Sequence, residues 1–143
     1  MENLKDILFY TLERSIKTYR QFAQHELVKH GFNITIDQWM VLKALADNPK
    51  QTQQQIAETI FKDYASVTRI IDLLVKKEYL IRTIHIDDRR RFNLILTDNA
   101  INILAVMQPV INKNRQIALN GIGEQQASVI KQALELIIKN CQP

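Results

Sequence analysis

The chain has a single cysteine, Cys141, among its 143 residues. A lone thiol excludes an intramolecular disulfide framework and any metal centre built from paired cysteines. Glycine and proline are scarce as well, three of each. Few residues are therefore available to punctuate long loops, and helices joined by short turns are expected. No phosphate-cradling Gly-rich loop, no Gly-x-Ser-x-Gly elbow and no paired His or Cys ligands occur. His25, His30 and His85 stand at no metal-ligand spacing, and the neighbours Asp87 and Asp88 need not converge as a catalytic carboxylate pair. No catalytic residue, cofactor or metal is expected, and the chain is not read as an enzyme. A thiol switch is not expected either, with Cys141 so close to the terminus. Long hydrophobic runs are missing too. The longest uncharged stretch, 99–112, is 14 residues broken by Asn and Gln, whereas a membrane helix needs about 20 apolar residues. With no basic-then-apolar leader at the start, the expectation is a cytoplasmic protein with no membrane partner.

What is present is the composition of an ordinary globular domain, 46% hydrophobic and 24% charged. The length suits one domain over 1–143. Net charge is +4 and the pI is near 9.3, basic enough to raise nucleic acid as a partner. Position tells more than the total. Five of the eight arginines, Arg69, Arg82, Arg89, Arg90 and Arg91, fall within 69–91, yet 51–98 nets only +1 because seven acidic residues offset eight basic ones. The chain has arginines at particular places, not a basic tail.

Apolar residues recur every three or four positions through 3–30 (Leu8, Leu12, Ile16, Tyr19, Phe22, Ala23, Leu27), which predicts a long first helix closed by Gly31. Thr35 opens a second, with Trp39, Leu42, Leu45 and Ala46 on one face and Asn48-Pro49 as its end. A short third helix over 52–61 turns Ile56, Ala57 and Ile60 inward, and Asp63 caps a fourth over 64–77. The period then changes to two. "YLIRTIHI" and "FNLILT" read as strands, with the charged stretch between them as a loop. Helical periodicity returns at Asp98, with Ala100, Leu104, Met107 and Ile111 in one stripe. "NGIGE" breaks it at 120–124, and a last helix to about Asn140 carries Ile130, Leu134 and Ile137. The predicted fold is mainly α with a small two-stranded β-wing.

The third and fourth helices pack as a helix-turn-helix if Ala57 lets the second approach closely. The fourth then buries Val67, Ile70, Ile71 and Leu74, and its opposite face carries Ala65, Arg69, Asp72 and Lys76, with Ser66 and Thr68 at the margins. Such a face suits a helix laid in a DNA major groove, since Arg grips guanine bidentately and hydroxyls reach phosphates or base edges. The plain alternative is the solvated side of an amphipathic helix. The hairpin that follows makes the motif winged. "IHIDDRRRFNLILT", 84–97, holds three consecutive arginines at its tip, a repulsive cluster that phosphates or a narrow minor groove would neutralise. A charged loop that only keeps the hairpin soluble is the alternative there.

Through "ITIDQWMVLKAL", "QTQQQIAETI", "DYASVTRIIDLLVKKEYLIR" and "DDRRRFNLILT", the sequence resembles the MarR family of winged helix-turn-helix transcriptional regulators, over residues 35–98. The most specific piece is Asp-x-Arg followed by Leu-x-Leu-Thr, here Asp88, Arg90, Leu94, Leu96 and Thr97. The resemblance implies a winged helix-turn-helix over 33–98 flanked by dimerisation helices, 1–32 and 99–143. It implies a homodimer on a palindromic site in double-stranded DNA, most often a repressor, released by a small, often aromatic effector. Ser66, Thr68 and Arg69 are assigned to the major groove, Lys76 to a phosphate, Arg89 and Arg90 to the minor groove, and Asp88 to orienting the wing. Tyr19, Phe22 and Trp39 are the effector-pocket candidates, although aromatics at helical spacing are more often core. Two departures stand out: the family often has glycine where this chain has Phe61 and Glu78, so either turn could be reshaped. The competing function is a winged-helix module that binds protein without reading DNA.

Overall fold

In the computed structural model, which describes residues 1–84, 86–88 and 92–143, the chain forms six helices and one two-stranded antiparallel sheet. In chain order they are α1 (Leu8–Lys29), α2 (Ile36–Asp47), α3 (Gln53–Thr59), α4 (Tyr64–Lys76), β1 (Leu80–Ile84), β2 (Phe92–Leu96), α5 (Asp98–Ala118) and α6 (Glu124–Cys141). The first helix is shorter than its apolar stripe predicts. A 3-10 turn at Leu4–Asp6 precedes it, and Ile7 between them is extended (φ −78°, ψ 126°), the region its β-branch favours. The α5 helix runs through Pro109, at the cost of one backbone hydrogen bond.

Helix starts follow local chemistry. Thr35 Oγ1 accepts from the Gln38 N–H (3.1 Å) while Gln38 Oε1 accepts from the Thr35 N–H (3.1 Å). Thr52 and Gln55 repeat that reciprocal box at α3, and Thr97 caps α5. Helix ends obey a stricter rule. In α1, α3 and α4 the last turn closes by a 6→1 bond, Phe32 N–H to Leu27 O, Lys62 N–H to Ala57 O and Tyr79 N–H to Leu74 O, at 2.9–3.0 Å. This geometry requires a left-handed residue just before the donor. Gly31 supplies it after α1 (φ 80°); after α3 and α4 it is Phe61 (φ 61°) and Glu78 (φ 64°). Neither turn is reshaped for want of glycine.

The core lies between α2, α3, α4, the sheet and the first part of α5. Val41, Leu42, Ile56, Val67, Ile71 and Leu74 are fully buried there, each contributing about 2 kcal/mol of transfer free energy. Three expected core positions differ: Ala46 is exposed, and Trp39 and Ile70 are half-buried. The buried side of α2 is instead Gln38, Val41, Leu42, Ala44 and Leu45, because the helix packs on both α4 and α5. The hairpin pairs Leu80 with Leu96, Arg82 with Leu94 and Ile84 with Phe92. Helix α6 buries no residue at all, so Ile130, Leu134 and Ile137 form a stripe that its own chain leaves open.

Candidate nucleic-acid interface and adjoining cavity

Asp63 starts α4 and also organises its exposed front. Its carboxylate accepts from the Ser66 N–H at 2.7 Å and from the Ser66 hydroxyl at 3.1 Å, and Arg69 Nη2 donates to Ser66 Oγ at 3.2 Å. The Ser66 N–H first, then its hydroxyl, hold the Asp63 carboxyl below its ordinary pKa, with a smaller push from the Arg69 charge. Thr68 is also engaged: its hydroxyl donates to Tyr64 O at 3.0 Å and accepts from Gln53 Nε2 at 2.5 Å. The structure therefore joins Ser66 to the exposed Arg69, while Thr68 is tied to α3; both Ser66 and Thr68 are half-buried and their hydroxyls are engaged within the protein. Lys76, the last residue of α4, is exposed.

The wing is tied to this helix. Arg82 on β1 reaches Asp72 on α4, Nη2 to Oδ1, at 2.7 Å. Thr97 closes the base of the hairpin, its hydroxyl donating to Glu78 O at 2.7 Å and its N–H to Tyr79 O at 3.2 Å. At the tip Ile86 and Asp87 are exposed and Asp88 is half-buried. Arg89 and Arg90, assigned above to the minor groove, lie outside the described residues, as do His85 and Arg91.

A cavity of about 180 Å³ separates this unit from the terminal helices. Tyr19 and Trp39 line it, as expected; Phe22 does not, since Tyr19 already stands at the edge of the lining stripe of α1 (Ile16, Arg20, Ala23, Leu27) and Phe22 lies farther round the helix. Three polar side chains not anticipated from sequence share the cavity wall, Arg20, Asn114 and Arg115. Asn114 is 3% exposed, and its amide makes no hydrogen bond among the described residues. Arg20 donates to Asp37 Oδ1 at 2.5 Å, and Asp37 Oδ2 lies 3.3 Å from Lys62 Nζ. The cavity thus connects, through one carboxylate, to the turn that precedes α4. These pairs span 17 and 25 residues of sequence, so no local pattern marks them. Among the described residues no group of three or more His, Cys, Asp or Glu is placed to hold a metal, and no helix is long and apolar enough to cross a membrane.

Residues 30–91 match the MarR family model. Among solved structures the chain is similar to S. aureus MepR in complex with DNA (23% identity, TM-score 0.83, covering 95% of this chain and 99% of that one). It is also similar to Bordetella bronchiseptica BpsR, whose DNA binding is regulated by 6-hydroxynicotinic acid (20%, TM-score 0.86, 96% of each chain). A probable transcriptional regulator from Pseudomonas aeruginosa matches as well (20%, TM-score 0.84, 94% and 99%). At these identities the likeness is one of fold.

Proposed function

We propose, from the premise that this chain belongs to the MarR family, that it is a cytoplasmic, homodimeric transcriptional regulator reading a palindromic operator in double-stranded DNA, most simply as a repressor. The observation that carries this reading is the Arg82–Asp72 pair, which braces the wing against the helix that presents Arg69. Two elements held together in this way can enter adjacent grooves as one body. Arg69 then contacts bases, Lys76 a phosphate, and Arg89 and Arg90 the minor groove beside the wing that Asp88 orients. Ser66 and Thr68 act mainly by fixing Arg69 and the start of α4, since their hydroxyls are engaged. The second copy covers the apolar stripe of α6 together with the neighbouring faces of α1 and α5, and its twofold symmetry dictates the palindrome.

Relief is assigned to the cavity between α1, α2 and α5. Tyr19 and Trp39 supply flat apolar walls, Asn114 an unused amide and Arg20 a cation, a set that suits a small aromatic molecule bearing an anionic group. Such a ligand competes with Asp37 for Arg20. The Asp37–Lys62 contact then carries the change to the turn before α4 and alters the separation of the two recognition helices. Fluorescence-anisotropy titration of DNA from the gene's own upstream region, with scrambled competitor and at two salt concentrations, tests the whole reading. Saturable binding that survives competitor and weakens steeply with salt is expected. Binding no better than to scrambled DNA would favour a protein-binding winged helix, for which the half-exposed Ile81–Ile95 pair on the outer face of the wing is the available surface.

A further inference from the structure

The two largest side chains at the leading edge of α4 are aromatic and point into solvent. Phe61, in the turn, is 87% exposed, and Tyr64, the first residue of the helix, is 50% exposed. Single exposed apolar residues are common and need no explanation. Phe61 is different, because it also occupies a left-handed conformation (φ 61°) that a side chain disfavours and glycine accepts freely. The position is thus strained, and the ring gains nothing from burial in exchange. Backbone outliers of this kind concentrate at functional sites.

The neighbouring groups sharpen the point. Ser66 and Thr68, the hydroxyls one turn on, are engaged within the protein. The Tyr64 phenol makes no hydrogen bond among the described residues. Tyr64 and Thr68 lie four residues apart and so share one flank of the helix, beside the exposed Arg69. We propose that Phe61 and Tyr64 are an aromatic edge of the DNA interface: Tyr64 packs on a thymine methyl in the major groove, and Phe61 packs on the deoxyribose backbone along the groove wall. The assignment rests on the DNA-binding reading above. The two rings border Arg69 on the helix that enters the groove, and the cations Lys62 and Arg69 flank them, as a polyanionic backbone requires. Thymine alone offers a methyl group in the major groove, so an apolar ring there discriminates sequence. A ring against sugar contributes affinity without discrimination.

The test begins with selection of a preferred duplex from a randomised pool by the full-length protein. Wild type, Tyr64→Ala, Tyr64→Phe and Phe61→Gly are then titrated against that duplex, a scrambled one, and versions with single thymines replaced by deoxyuridine, which lack the methyl. Wild type is expected to lose about fivefold or more at one thymine per half-site. Tyr64→Phe should keep this sensitivity, whereas Tyr64→Ala should bind the thymine duplex about as weakly as the uridine one. Phe61→Gly, whose backbone suits the turn, should fold with an undiminished melting temperature and bind selected and scrambled duplexes severalfold more weakly. Equal uridine losses for wild type and Tyr64→Ala would overturn the Tyr64 assignment, and wild-type affinity in Phe61→Gly would overturn that of Phe61. Failure of the selection to enrich any sequence would instead sink the DNA-reading function itself, and this assignment with it.

Discussion

Glu78 shows how a single residue can be read from sequence and still surprise. It is a non-glycine where the MarR family, which the sequence resembles, often has glycine, and a turn of another shape is one expectation that follows. The turn does not change shape: Glu78 keeps φ at 64°, with its carbonyl held by the Thr97 hydroxyl at 2.7 Å and the next residue bonded back to Leu74. The surrounding bonds over-determine the conformation, and the chain tolerates the strain. The consequence is an inverted substitution order. Where φ is negative, alanine is the more stable choice, because glycine loses more backbone freedom on folding. At 78 the penalty of a Cβ in the left-handed region, about 1–2 kcal/mol, should exceed that entropic difference of about 0.4–1 kcal/mol. Glu78→Gly is therefore expected to unfold at higher urea concentration than Glu78→Ala, by roughly 0.5–1 kcal/mol in free energy. An alanine variant equal to or more stable than the glycine variant would mean that the left-handed conformation is not what limits the turn.

Elements were legible where their signals are local. Thr35 and Asp63 announce helix starts because a capping side chain bonds within three residues of itself, and the change of period after α4 announces the wing. Contacts between elements were not legible. Asp72 reads from sequence as one more polar residue on an outer face, and Arg82 as a charge within a strand; only the fold puts them 2.7 Å apart. With side chains 26% and 53% exposed, this pair should contribute less than about 1 kcal/mol to global stability. Its effect on the hinge between wing and helix is a different matter, because the proposed binding in two grooves would require both to be held at once. Arg82→Gln should leave the unfolding midpoint within the range of a surface substitution, yet weaken operator binding by about tenfold, as expected when preorganisation of one contact is lost. A loss of affinity matched by a comparable loss of stability would assign Arg82 to the core of the hairpin rather than to aiming it. The cavity shows the same limit of sequence reading: Tyr19, Phe22 and Trp39 stand out alike as aromatics for the cleft that the resemblance implies, yet only Tyr19 and Trp39 line it, and Asn114 gives no sign of itself among the polar residues of α5.

For the molecule as a whole, the decisive feature is what one chain does not cover. Its core is complete around α2, α3, α4 and the hairpin, but α6 buries nothing, and Leu8, Phe9 and Ile16 on α1 stay more than half exposed. Leu12, Ile16, Leu119, Ile130, Leu134 and Ile137 line a groove of about 680 Å³ between α1, α5 and α6. An open apolar groove contiguous over three helices is what the proposed dimer interface would cover. Periodicity predicts that α6 has such a stripe, but it does not distinguish a partner within the chain from a partner outside it, since both demand the same spacing. A charge in the groove separates the two. Leu134→Asp removes an apolar contact from the terminal helices and leaves the winged-helix core untouched, so the domain should keep its fold while the dimer dissociates at micromolar concentration by sedimentation. A dimer on a palindrome gains its second half-site intramolecularly, an advantage of about 10²–10⁴ over one site. The variant should therefore bind the full operator about 100-fold more weakly or worse, while wild type and variant differ little on a duplex carrying one half-site. A Leu134→Asp protein that still sediments as a dimer would move the interface away from this groove. A wild type that is already monomeric at micromolar concentration would remove the symmetry argument for the palindrome altogether.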